Sequence, residues 1–311
     1  MATPIVLDCD PGHDDAVALL LAAGNDEIDL LAVTTVAGNC PLDLATLNAR
    51  RVAALAGLDG VPIAAGAAGP LRGELVTAPD IHGETGLDGY ELRTGEAPLD
   101  PRSAIELMVD TLEGSPEPVT LVPTGPLTNV AQLLSARPDL HERIREIVLM
   151  GGSTGRGNVT PLAEFNIYVD PEAAAIVFES GLPLTMIGLN LTHQARATTE
   201  VLERVRALPG EPARALEGWM AFFGSRYERV HGEFAPPVHD PCTVAMLIDP
   251  TLIRSIDAFV AVETEGRWTR GATAVDLYGR LGRPPNAHVA MELDVDGFWD
   301  LVLGALERLA R

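Results

Sequence analysis

The stretch "LDCDPGHDDA", residues 7–16, carries Asp8, Asp10, Asp14 and Asp15 around a Pro-Gly turn. Carboxylates in a first helical turn gain about 0.3–1 kcal/mol from the helix dipole, and an aspartate there can also cap the helix. One or two of these residues would satisfy that role. Four repel one another at a cost that a bound cation removes. Oxygen ligands of this kind suit a hard divalent ion, Ca²⁺ or Mg²⁺, better than Zn²⁺. The spacing is not that of an EF-hand, so a remote ligand must complete the site. Asp240 in "PPVHDPC" is a candidate, with His239 beside it, although Asp240 also precedes Pro241 and could cap a helix. A third polar group lies in "LAEFNIYVDPEAA". Glu164 and Asn166 are one residue apart and in an extended segment would face one side, as partners for hydroxyls. Asp170 reads as the N-cap of a helix beginning at Pro171.

The elements that must position these groups alternate between short apolar runs and helical patterns. Strands are expected at "PIVLDC", "IDLLAVTTVAG", "VPIAAG", "PVTLVP", "REIVLMGG" and "PLTMIGLN". Helices are expected over 14–24, 42–57, 101–113, 126–136 and 171–180, with one or two more in 200–230 and a closing amphipathic helix in "DVDGFWDLVLGALERLA". The alternation predicts an α/β fold: an open, mostly parallel sheet with helices on both faces. Ligands of such sheets bind at the C-terminal ends of the strands. Asp10, Asn39, Thr124 and Met150 each follow an apolar strand there. Residues 66–100 read as a long loop. No repeat or linker divides residues 1–311, so a single domain is expected.

Composition narrows the function. Forty-four acidic residues against 22 basic ones give a net charge of −22, which disfavours nucleic acid and anionic membranes as partners. None of the basic residues is Lys, which excludes a Walker P-loop of the GK[ST] type. Cys9, Cys40 and Cys242 are odd in number and share no CxxC spacing, pointing to a reducing compartment. No leader-like segment opens the chain, and runs such as "AVALLLAAG" are too short to span a bilayer. A soluble cytoplasmic protein is expected.

Together, "DCDPGHDDA", "TTVAGN", "VLMGG", "AEFNIYVDPEAA" and "VHDPC" resemble the inosine-uridine preferring nucleoside hydrolase family, in the family's order and from residue 5 to about 250. The resemblance implies a Rossmann-like nucleoside hydrolase fold and Ca²⁺-dependent hydrolysis of the N-glycosidic bond of purine or pyrimidine ribonucleosides, as in nucleoside salvage. It implies Ca²⁺ bound by Asp10, Asp15, Asp240 and the Thr124 carbonyl. Asp10 would also act as general base on a calcium-bound water. Asp14, Asn39, Asn158, Glu164, Asn166 and Asp240 would hold the ribose hydroxyls, with Met150 lining the sugar pocket. His239 matches the leaving-group acid, His82 in "IHGETGLDG" a base-pocket position on a mobile loop, and Tyr227 a further base-side position. A homodimer or homotetramer is implied, with a small ribonucleoside as substrate.

Two stretches depart from the family pattern. His13 stands where a small or apolar residue is expected, at a position expected to point away from the metal. "FFGSRYERVHG" differs on the base side, and His231 within it reads as structural or exposed. Two other classes compete. Haloacid dehalogenase-type phosphatases also begin with DxD after a first strand, but normally need a downstream Lys and leave Glu164, Asn166 and His239 unexplained. A Ca²⁺-dependent nucleoside-binding protein would keep the metal and ribose groups while losing the acid or the base, and here both Asp10 and His239 are present.

Overall fold

The computed structural model describes residues 2–232 and 234–311, the side chains of Val230 and His231 aside. His231, read from the sequence as structural or exposed, therefore has its side chain outside the described part. The strands are β1 (Thr3–Cys9), β2 (Ile28–Thr35), β3 (Ile63–Ala65), β4 (Val119–Pro123), β5 (Ile144–Met150), β6 (Leu184–Ile187), β7 (Ile253–Val262), β8 (Thr273–Asp276) and β9 (Ala287–Leu293). The helices are α1 (His13–Ala23), α2 (Leu42–Leu55), α3 (Pro79–His82), α4 (Ala104–Gly114), α5 (Thr128–Ala136), α6 (Phe165–Val169), α7 (Pro171–Phe178), α8 (Leu189–Thr192), α9 (Thr199–Arg206), α10 (Glu211–His231), α11 (Pro241–Ile248) and α12 (Val295–Leu309).

The strands form one sheet in the order β3-β2-β1-β4-β5-β6-β9-β7-β8. Every pairing from β3 through to β9 is parallel, and β7 pairs antiparallel with both β9 and β8. The expected open, mostly parallel sheet is therefore present, extended by an antiparallel edge. The chain leaves β1 for β2 on one side and returns to β4 on the other. That reversal of strand order opens a crevice at the C-terminal ends of β1 and β4.

Side chains alternate across β1. Ile5, Leu7 and Cys9 join the apolar layer that contains α1 and α12, whereas Val6 joins the layer with α4, α5 and α7. Helix α1 is buried on nearly every face, as its "AVALLLAA" run requires, and packs against α11 and α12. Its first turn is thereby fixed over the crevice. On the opposite layer, Asp170 caps α7 by accepting from Ala173 N at 3.0 Å, as expected. Its other oxygen accepts from the Thr128 hydroxyl and from Leu71 N, each at 2.7 Å, tying the 66–78 segment to α5 and α7.

Replacing Asp170 removes a cap and leaves two donors without their acceptor. Asp170→Ala should lower the unfolding free energy by about 2–4 kcal/mol in urea titration. Asp170→Ser, which retains a capping oxygen, should recover part of the loss; equal losses would mean that the cap contributes nothing.

Candidate active site

Asp14, Asp15 and Asp240 are buried and bring carboxylate oxygens within 4.8 Å of one another. Two come from the first turn of α1 and the third from the start of α11, which the sheet brings together. Asp15 is held by four donors. Its Oδ2 accepts from Gly12 N at 3.1 Å and Asn39 Nδ2 at 3.2 Å, and its Oδ1 from the Thr124 hydroxyl at 2.8 Å and Asp10 N at 3.4 Å. Asp14 Oδ2 accepts from His239 N at 3.3 Å.

Asp10 stands at the edge of this trio. Its Oδ2 accepts from Asn39 N at 2.6 Å, while its Oδ1 is buried without a partner. The backbone closes around it: a Cβ on Gly125 would come within 2.6 Å of Asp10 Oδ1, and one on Gly38 would collide with Oδ2. Asp14, expected at the ribose, thus belongs to the carboxylate cluster as well. Asp8 does not. It shares the parity of Val6, lies across the strand, and accepts from the Thr34 hydroxyl at 2.7 Å and Asn129 Nδ2 at 2.8 Å.

Burial pushes the carboxyls of Asp10 and Asp240 well above the ordinary range, and neighbouring aspartates push them further. Burial lifts Asp14 to about 6; burial and then Asp14 lift Asp15 to about 6. The charges acting on Asp10, Asp15 and Asp240 are those of other aspartates in the group. A divalent cation fits this donor set: all the ligand atoms are oxygen, one of them is unpartnered, and the surrounding charge is negative.

Beside the acids, Asn166 joins two strand ends. Its Nδ2 donates to the Thr124 carbonyl at 2.7 Å and the Met150 carbonyl at 3.1 Å, and touches Met150 Sδ at 3.4 Å. Glu164 accepts from Asn166 N at 2.8 Å, Ile167 N at 3.1 Å and Gly152 N at 2.9 Å. Glu164 is thus the N-cap of α6 and Asn166 lies inside that helix, so the expected extended alternation is corrected. A polar side chain with local backbone donors favours a helix start here over a strand. Both side chains are still buried. Burial raises Glu164 to about 7 against the pull of its three backbone donors.

Three histidines surround the aspartates. His239 Nδ1 lies 2.7 Å from the Thr192 hydroxyl, and burial pushes the ring down to about 4. His82 ends α3 and is buried. His13 is buried too, with its Nδ1 3.0 Å from His82 Nδ1. The residue expected to point away from the metal thus contacts His82, one of the candidate site residues. No sequence signal marks Thr192, which lies 47 positions from its partner. Tyr227 is half-buried on α10, and Asn158 is exposed in the loop after β5, where its N donates to the Ala163 carbonyl.

Residues 5–300 match the family model of inosine-uridine preferring nucleoside hydrolases. The chain is 49% identical to a pyrimidine-specific ribonucleoside hydrolase RihA of Shewanella sp. (strain MR-7), over 98% of this chain and 96% of the relative. It is 47% identical to the protein of that name from Citrobacter koseri, over 100% and 99%. Among solved structures, the plant nucleoside hydrolase PpNRh1 superposes with a TM-score of 0.92 at 30% identity, covering 99% of each chain. The purine-preferring ribonucleoside hydrolase from Gardnerella vaginalis gives 0.90 at 31%, also over 99% of each. The chain belongs to the inosine-uridine preferring nucleoside hydrolase family, and it is a ribonucleoside hydrolase.

The raised carboxyls give a signed stability prediction. Between an ordinary value of 3.8 and about 6, folded Asp14 and Asp15 hold protons that the unfolded chain has released. Their contribution to stability therefore falls as pH rises through that window. Chelated protein should melt lower at about pH 8 than at about pH 5.5, and saturating divalent cation should raise Tm more at the higher pH. A pH-independent increment, read by calorimetry, would contradict binding at these carboxylates.

Proposed function

We propose that this member of the family cleaves the N-glycosidic bond of pyrimidine ribonucleosides, giving free base and ribose, with Ca²⁺ as its metal. The reading rests above all on the buried aspartate trio beside the unpartnered Oδ1 of Asp10, at the crevice between β1 and β4. The pyrimidine preference rests on the relatives at 47–49% identity, whose names carry it, against about 30% for the purine-preferring structure.

Asp10, Asp15, Asp240 and the Thr124 carbonyl would hold the ion, with Asp14 close enough to share it. When bound, Ca²⁺ supplies the Lewis acidity that lowers the pKa of a water and orients it. The Asp10 carboxylate takes the proton of the attacking water, and its Oδ1 has no competing donor. Asn39 keeps Asp10 turned inward through its backbone N–H. The bond breaks through an oxocarbenium-like transition state. Asp14, Asn39, Asn158, Glu164, Asn166 and Asp240 would engage the ribose hydroxyls, with Met150 beneath the sugar. Asn158 reaches the sugar only from its exposed loop.

His239 would serve the departing base. The Thr192 hydroxyl can donate to its Nδ1, which leaves the ring hydrogen on Nε2. That N–H is a donor toward the negative charge that develops on the base. His82 and Tyr227 would line the base end.

Cys9, Cys40 and Cys242 are buried free thiols, which supports a cytoplasmic setting. Among the described residues no helix is long and apolar enough to cross a membrane. In the homo-oligomer that the family resemblance implies, Trp268, Tyr278 and Leu281, exposed around the short edge strand β8, would find cover.

The test is ribose release from uridine, cytidine, inosine and 2′-deoxyuridine, with and without chelator. Uridine and cytidine should lead. The 2′-deoxy analogue should lose roughly 10⁴-fold, because buried hydroxyl partners are left unpaired. Chelation or Asp10→Asn should abolish turnover. Inosine cleaved faster than uridine would refute the base preference, and full activity in chelator would refute the metal.

A further inference from the structure

Helix α2 turns one face inward. Ala45, Asn48, Ala49, Val52 and Ala53 are buried on it, at the spacing of a helical stripe. The others are apolar, and a buried amide among them is costly unless its hydrogens are bonded. Here both are used. Asn48 Nδ2 donates to the Thr85 carbonyl at 2.8 Å and to the Pro11 carbonyl at 3.1 Å. Pro11 belongs to the turn between Asp10 and Asp14, and Thr85 to the loop that follows His82. One amide therefore spans the two segments that place the Asp10 carboxylate and the His82 ring.

The loop fits closely where it is held. Gly86 has φ +82°, and a Cβ there would lie 2.8 Å from Cys40 Sγ and 3.1 Å from Asn48 Nδ2. Within the loop, the Asp88 carboxylate accepts from Glu84 N at 3.1 Å, from Thr85 N at 3.4 Å and from the Thr85 hydroxyl. Thr85 thus carries its neighbours with it. The turn also touches His82 directly. His13 N donates to His82 Nδ1 at 3.3 Å, and a Cβ on Gly12 would come within 2.6 Å of that atom, so the backbone walls one side of the ring. The turn has anchors of its own in the bonds from Asn39 N to Asp10 and from Gly12 N to Asp15. Loss of the Asn48 amide therefore loosens the loop and leaves the turn in place.

We propose that Asn48 is a positioning residue: its amide clamps the 83–88 loop to the Pro11 turn and so holds His82, the wall of the base subsite, in register with Asp10. The proposal rests on the placement of His82 at the base end of the substrate. A glycine-rich loop left free loses conformational entropy when a ligand orders it, and that loss subtracts from binding. The clamp orders the loop during folding instead. Its effect therefore falls on binding of the base and not on the bond-breaking step.

The full-length, Ca²⁺-loaded enzyme tests this. In Asn48→Ala, amide hydrogen exchange over 83–88 should quicken about tenfold, and KM for uridine should rise about tenfold while kcat changes less than about twofold. Asn48→Leu, which fills the volume without a donor, should match it. Inhibition by iminoribitol, a sugar mimic without a base, should stay within about twofold of the parent in both. Gly86→Ala disturbs the same loop from the other side of the contact. Its losses should not add to those of Asn48→Ala in the double variant, since both release one segment. Unchanged exchange or an unchanged KM in Asn48→Ala would overturn the proposal. So would parental kinetics in Asn48→Leu, which would assign the effect to packing, or equal weakening of uridine and iminoribitol, which would assign it to the whole site. Additive losses in the double variant would also overturn it. An unchanged KM in His82→Ala would refute the placement of His82 at the base, even where faster exchange in Asn48→Ala shows that the clamp holds the loop.

Discussion

Like charges buried within 4.8 Å of one another are the constraint on which the rest of this molecule depends. Asp14, Asp15 and Asp240 repel in a medium that screens poorly, and Asp10 adds to the repulsion. A folded chain tolerates this only where other forces hold the backbone in place. Here those forces are the parallel pairing of β1 with β2 and β4, and the packing of the apolar helix α1 between the sheet and α12. The sheet and the packed helices hold the backbone, and the crevice at the strand reversal carries the electrostatic repulsion.

The groups around the acids relieve that strain in part. Asn39 and Thr124 point donors at Asp10 and Asp15, and Gly38 and Gly125 let the chain close on Asp10 without a side chain in the way. Asn166 ties the ends of β4 and β5 and fixes the Thr124 carbonyl. What remains uncompensated is an all-oxygen pocket with one unsatisfied carboxylate atom. A divalent cation would complete it and could supply the chemistry of a hydrolase, so that stability and function would draw on the same charge.

Much of this was legible in the sequence because it is local. The density of aspartates around a Pro-Gly turn, and the apolar strands that end in polar residues, announce both the sheet and the crevice. Asp8 is separated from the others by its place inside β1, where Thr34 and Asn129 hold its carboxylate, and not by parity, which it shares with Asp10. Asn166 was misplaced in an extended segment because the Glu164 cap, which starts a helix, competes with strand alternation. The antiparallel edge of β7, β8 and β9 has no crossover helices to reveal it. Contacts made only by tertiary packing left no local trace. Thr192 meets His239 across 47 residues, and His13 meets His82 across 69. The latter pair explains why a histidine stands where a small or apolar residue was expected.

The central claim is that the buried aspartates form one Ca²⁺ site, and calorimetric titration of Ca²⁺ into chelated protein addresses it most directly. One ion should bind per chain, with binding weakened at least about 100-fold in Asp15→Asn, since a ligand charge is lost. No saturable binding, or binding untouched by Asp15→Asn, would contradict it.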